Sequence, residues 1–119
     1  MEKIKKAIET FVKGGDNNDV TLLDQILHPK YQNIQDGLFE QQGIFVFSKE
    51  QYIDLVSTKK FGGHPRTITY EEIHQMDNIA IVKTILESDQ LTFNSTITCV
   101  LENEQWRVIS NIPKIAVAN

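Results

Sequence analysis

Residues 66–112 hold the feature that most restricts the fold. Four runs of strand-forming residues, 67–75, 79–88, 91–102 and 106–112, are separated by the short connections Asp77-Asn78, Asp89-Gln90 and Glu104-Gln105. Connections this short join antiparallel neighbours, so the stretch is expected to form a four-stranded meander. In the third run the odd positions Leu91, Phe93, Ser95, Ile97, Cys99 and Leu101 make an apolar face, and the even positions Thr92, Asn94, Thr96, Thr98 and Val100 make a face of small, mainly polar groups. The second run is apolar on both sides, with Ile79, Ile81 and Ile85 opposite Ala80, Val82 and Leu86. A strand of that kind lies between two layers, so helices are expected over one face and another subunit or a further sheet over the other. In the first run Ile68 and Tyr70 hold even positions, yet the next apolar residue is Ile73. One extra residue near Glu71-Glu72 restores the parity, which is the signature of a β-bulge that bends the strand. A bent sheet can curl around helices and enclose a hollow.

Upstream of the meander, Ile4, Ala7, Ile8, Phe11 and Val12 recur at helical spacing and define one amphipathic stripe. Gly14-Gly15 is read as its terminus. Asp19 can cap a second helix carrying Leu22, Leu23, Ile26 and Leu27, which Pro29 stops. Residues 31–36 and 44–47 read as two short strands or a loose hairpin, punctuated by Gly37 and Gly43. Ser48-Lys49-Glu50-Gln51 matches a capping box and opens a third helix with Tyr52, Leu55 and Val56 on its apolar side and Ile53 at the margin. Residues 61–65, Phe-Gly-Gly-His-Pro, form the loop back to the sheet.

A chain of 119 residues without internal repeat or linker is expected to be a single domain, residues 1–119, that buries about two thirds of its unfolded surface. The formal charge of −4 and the lack of a basic stripe argue against nucleic-acid binding. The lysines near the amino terminus alternate with Glu2 and Glu9 as on a solvated helix face. There is neither a signal-peptide core nor an apolar run long enough to span a membrane, so a cytoplasmic protein without membrane contact is expected. The single cysteine, Cys99, sits on the apolar parity of its strand and reads as a buried small hydrophobe. The Asn94-Ser95-Thr96 match to a glycosylation acceptor lies in a strand and reads as coincidence.

Leu27-His28-Pro29, Asp36-Gly37, residues 47–52, residues 78–83 and residues 106–111, taken in order, resemble the nuclear transport factor two-like superfamily. Within it the chain is most similar to the SnoaL-like and putative lumazine-binding branch. The resemblance implies an α+β fold in which a cone-shaped, curved antiparallel sheet wraps around three helices. It further implies a pocket between the helices and the concave sheet face, and a homodimer through the outer sheet face. A shared fold carries no reaction with it.

The candidate site residues follow from both readings. An isomerase of the ketosteroid type needs a carboxylate base opposite acidic donors. The resemblance puts Asp36 near the base position, but Phe11 stands where a donor tyrosine is expected, and Thr92, Asn94 and Thr96 offer no carboxylic acid. Asp36-Gly37 is equally an ordinary turn. His64, after two glycines in a loop near the cone mouth, is the other weak catalytic candidate; His28 suits a helix end and His74 a solvent or interface position. No metal-ligand spacing, phosphate loop or nucleophile elbow occurs, so no metal and no cofactor is expected. Tyr31, Tyr52, Asn94, Thr96 and Asn111, around Phe11 and Trp106, are the candidate ligand-binding set. The competing reading makes the aromatics core and the Thr/Asn face wet surface. Function is thus expected to be binding of an unknown small molecule, with a SnoaL-like enzyme (isomerase, cyclase or dehydratase) acting on a hydrophobic cyclic substrate, or a protein-interaction module, as alternatives.

Overall fold

The bulge in the first strand of the meander sits where the parity break places it. In the computed structural model, which describes residues 1–118, Tyr70 pairs with Thr84 and Glu72 with Lys83, leaving Glu71 as the extra residue. The elements run α1 (Glu2–Asp16), α2 (Val20–Ile26), β1 (Leu27–Leu38), β2 (Gln41–Ser48), α3 (Lys49–Ser57), β3 (Thr67–Met76), β4 (Ile79–Glu87), β5 (Leu91–Glu102) and β6 (Gln105–Val117). This is an α+β fold whose strands form one six-stranded sheet in the order β2-β1-β6-β5-β4-β3. All neighbours are antiparallel except β1 and β6, which run parallel.

Several boundaries differ from the sequence reading. The segments taken as a loose hairpin are full strands of 12 and 8 residues, and Leu27 begins β1 instead of ending α2. The last turn is Asn103-Glu104, one residue earlier than expected. Both residues take positive φ, 52° and 63°, as a tight hairpin turn demands. Gly14 and Gly15 do not end α1 but lie buried inside its last turns. A Cβ on Gly14 would come within 2.8 Å of the Leu23 side chain, so glycine there lets α2 pack closely. The third helix begins as read: Ser48 Oγ accepts from the Gln51 backbone N–H, and the Gln51 side chain accepts from the Ser48 N–H.

The helices cover one face of the sheet. Ile4, Ile8, Phe11 and Leu23 pack with Val82, Ile97, Cys99 and Val108 in the core. Cys99 is fully buried, as its parity indicates. The opposite face carries Ile79, Ile81 and Ile85 of β4 beside Val100, Thr98 and Asn94 of β5. So the two-sided strand has helices on one side, and its other side lies open on the convex face.

The loop after α3 is fastened to the end of α1. Asn18 Nδ2 donates to the carbonyls of Val56 and Phe61, and Gly63 N–H donates to Gly15 O. Gly62 has φ +79°, and a Cβ there would lie 2.1 Å from Gly15 O. Gly62→Ala is therefore expected to destabilise the protein by more than about 2 kcal/mol in urea unfolding, through strain and displacement of this loop. Gly43→Ala, at positive φ with nothing within 4 Å, should cost less.

Candidate functional site

A cavity of about 520 Å³ lies between the carboxy-terminal half of α1, α3, the 59–66 loop and the concave face of the sheet. Its size falls within the range of small-molecule sites. Phe11, Tyr52, Phe61, Phe39 and Phe93 supply an aromatic lining, while Asn33, Gln35 and Asn111 supply polar side chains. The charged groups bordering it are Asp36, Lys59, Lys60, His64 and Arg66.

The polar side chains form a connected row. Tyr31 Oη–H donates to Asn33 Oδ1 (3.2 Å), Asn33 Nδ2 donates to Gln35 Oε1 (2.7 Å), and Gln35 Nε2 points at Gly37 O (3.5 Å). From the parallel neighbour β6, Asn111 Nδ2 donates to Asn33 Oδ1 at 3.3 Å. All four side chains are buried. Three of them, Tyr31, Asn33 and Gln35, alternate along β1 and point inward, so the buried side of this strand is polar where burial ordinarily selects apolar groups. Burial drives the Tyr31 phenol well above its ordinary pKa of 10.0, with the neighbouring Tyr52 adding to the rise and the Asn111 hydrogen bond opposing it. Tyr52 is raised as well, chiefly by burial. Both phenols therefore stay protonated at neutral pH. Tyr31 packs edge-on to Tyr52 at 5.3 Å between ring centroids, and both approach Phe11 at 6.1 Å.

At the rim, Arg66 is held by Asp16. Its backbone N–H and Nε donate to the two carboxylate oxygens at 2.9 and 2.6 Å, and its guanidinium lies 4.9 Å from the Phe93 ring centroid. Both charges are largely buried, a setting in which removing one partner strands the other. His64 Nδ1 approaches Asp89 Oδ1 at 3.9 Å, bringing the 59–66 loop near the turn between β4 and β5.

Of the candidate binding residues, Phe11, Tyr52 and Asn111 line the cavity, and Tyr31 supports it from beneath through Asn33. Asn94 and Thr96 do not. They lie on the face of β5 that points away from the helices, because Ser95, Ile97 and Cys99 take the inward parity. The hollow is thus enclosed by the apolar parity of β5 and not by its threonine-and-asparagine side. Trp106 packs in the core and borders a separate shallow groove with Lys3, Lys6 and Thr10. Both weak catalytic candidates border the cavity. Asp36 is exposed and follows Gln35 on the outward parity of β1, and His64 is exposed in its loop. His28 lies 2.6 Å from Glu102, tying β1 to the end of β5. Among the described residues no group of three or more His, Cys, Asp or Glu is placed to hold a metal ion.

Asn33, Gln35, Arg66 and Phe93 were not among the expected site residues. The sequence signal for the first two was the Tyr31-x-Asn33-x-Gln35 alternation. It is masked by Ile34, which looks like the buried position and faces outward.

The profile of the family described as "Putative lumazine-binding" matches residues 1–112. The chain belongs to this family. No curated protein matches it. Among solved structures it is similar to an NTF-2 like protein of unknown function from Silicibacter pomeroyi DSS-3, with TM-score 0.82 and 16% identity over 97% of this chain and 94% of that one. An NTF2-like protein from Cytophaga hutchinsonii gives TM-score 0.82 and 18% identity, covering 97% of both chains. A third, from Shewanella baltica and also of unknown function, gives 0.82 and 13% over 98% of this chain and 94% of that one. At these identities the structural likeness establishes the fold, which is NTF2-like, and leaves the ligand to the site.

Buried protons govern the alkaline limit of this core. Burial pushes the Cys99 thiol from its ordinary 9.0 up to about 12. The unfolded chain releases that proton near pH 9 while the folded chain holds it, so stability falls as pH rises from 9 to 12. The raised tyrosines act in the same direction above 10. Cys99→Ala is expected to flatten the fall in urea midpoint between pH 9 and 10, where tyrosine contributes little.

Proposed function

We propose that this protein binds a small, planar organic molecule in the cavity and does not transform it. The observation that carries the reading is the pairing of an aromatic lining with a buried, neutral row of amides in a space of about 520 Å³. Aromatic faces favour a flat ligand, and a few fixed polar groups orient it. The family's name supports the same class of ligand. Against chemistry stand the outward parity and exposure of Asp36, and a phenylalanine at position 11. One observation favours a second reading, proton-transfer chemistry of the SnoaL-like kind on a hydrophobic cyclic substrate: Asp36 and His64 both border the cavity. A turnover that survives in the Asp36→Asn, His64→Ala double variant removes that reading.

The protein is further proposed to act as one domain spanning residues 1–119, in the cytoplasm, without cofactor, nucleic acid or membrane. No helix among the described residues is long and apolar enough to cross a membrane. A homodimer through the convex sheet face is supported by the apolar groups exposed there. Ile44, Val46, Ile79, Met76 and Ile112 stand on that face with 44–68% of their surface open. Exposed apolar groups gathered on one face are the kind of feature an interaction surface uses, which supports this reading.

Two measurements test these readings. In a thermal-shift screen of pterins, flavins, steroids and polyketide-like aromatics, a true ligand at 100 times its Kd adds about 2.7 kcal/mol and raises Tm by several degrees. Leu91→Trp, which fills the wall of the cavity, should abolish the shift while the protein stays folded. In light scattering the native protein is expected at twice 13.6 kDa, and Ile112→Lys with Ile79→Lys at the single mass. A native protein that already runs at the single mass removes the dimer and favours a different protein partner for this face.

A further inference from the structure

The rim of the cavity differs in charge from the chain as a whole. The protein has 16 acidic against 12 basic side chains, yet the cavity is bordered by Lys59, Lys60 and Arg66 and by one carboxylate, Asp36. Arg66 is taken up by Asp16, and His64 leans toward Asp89. Lys59 and Lys60 form no ion pair among the described residues. Lys49, at the other end of α3, is tied instead to Asp24 and to two backbone carbonyls.

The backbone that carries these two lysines is strained. α3 ends in a Schellman turn, in which Lys60 N–H donates to Leu55 O at 2.9 Å and Lys59 N–H to Val56 O at 3.1 Å. Such a turn puts one residue in the left-handed region, where glycine is the usual choice; here that residue is Lys59, with φ 63°. Among the described residues other than glycine, Asn18, Asp77 and Asn103 share a positive φ and belong to the types that tolerate it, whereas Phe39, Lys59 and Glu104 do not. Two of the latter three border the cavity. Strain of this kind gathers where a side chain is needed in a particular place. Phe39 is 72% exposed, and its ring lies 6.2 Å from that of Phe61, the residue after Lys60. The rim thus sets two lysines beside a pair of aromatic rings.

Deepening the binding proposal above, and resting on it, we infer that the cavity takes an amphiphilic anion: a ring body among the aromatic side chains and a single anionic group, such as a carboxylate, at the rim with Lys59 and Lys60. The neutral amides and protonated phenols of the inner wall suit the uncharged end of such a molecule. Positive charge at the mouth of an apolar hollow also draws anions from solution, most strongly at low salt. A cation at the carboxy-terminal end of α3 suits the helix dipole as well. That benefit acts on stability and does not choose between ligands.

The test uses the full chain and two fluorescent probes, anilinonaphthalene sulfonate and phenylnaphthylamine, which share their rings and differ by the sulfonate. Leu91→Trp fills the cavity, so only binding lost in that variant counts as binding there. The amine is the more apolar probe, and a hollow without charge selection would favour it. The native protein is expected to prefer the sulfonate by about 5- to 10-fold at low salt, and to lose most of that preference in about 1 M salt, where charges are screened within about 3 Å. Lys59→Gly combined with Lys60→Gln removes both charges and relieves the left-handed strain, so the double variant should stay folded and bring the two probes to within about twofold of each other. Equal affinity of the native protein for the two probes overturns the inference while the binding proposal stands, and so does a preference that survives in the double variant. Binding of neither probe in the cavity removes both.

Discussion

A row of buried side-chain amides lies inside this protein, and its members are held mainly by hydrogen bonds to one another. Much of the architecture serves that arrangement. Asn33 sits at the junction, accepting two hydrogen bonds and donating one, from residues on its own strand and on the neighbouring β6. The parallel register of β1 on β6 puts Asn33 directly beside Asn111. A slip of one residue would turn Asn33 and Gln35 outward and bring Ile34 in. Hydrogen bonds of this kind add only modest net stability when made, but they penalise every alternative register heavily when unmade. The row therefore acts chiefly as a specifier of the sheet.

The same row goes with an inversion between the two halves of the sheet. In β4 and β5 the inward parity is mainly apolar, with Thr84 and Ser95 as its polar members, and packs with α1 in the core, the ordinary arrangement. In β1 the inward parity is Tyr31, Asn33 and Gln35, while Ile34 and its partner Val46 face out. Polar groups can face inward there because the curved sheet leaves a cavity at that end in place of close-packed helix. The inverted strand therefore goes with a cavity on its inner side and leaves Val46 open on its outer side.

What could be read from the sequence was local. The parity break at Glu71, the capping box at Ser48, the helical stripe of α1 and the two-sided β4 each depend on neighbours within a few residues, and each is found in the structure. The parallel pairing of β1 with β6 joins Asn33 to Asn111, 78 residues apart, and leaves no periodic trace in either segment. Without that pairing residues 31–36 look like a weak hairpin strand, and Asn111 is one polar residue among several. The face of β5 that encloses the cavity differs from the expected one for a related reason. A polar parity reads in sequence as pocket lining, yet Ser95, Ile97 and Cys99 are the side the helices bury, and Phe93 of that parity reaches the lining. Gly14 and Gly15 misled similarly, since a glycine pair that ends a helix and one that admits a neighbouring helix look alike until Leu23 is in place.

The cavity walls are fixed before any ligand arrives. Arg66 is locked to Asp16 through two hydrogen bonds, Asn18 ties two carbonyls of the α3 segment to the end of α1, and Gly62 lies against Gly15 with no room for a side chain. These contacts involve backbone or charge-paired groups, which leave little freedom for the 59–66 loop to swing as a lid. Binding to a preformed site avoids the cost of ordering loops and side chains, so a ligand of few atoms can still bind usefully. The stability invested in the rim and the register of β1 on β6 are therefore parts of one device: together they hold the polar and aromatic walls of the cavity in fixed positions.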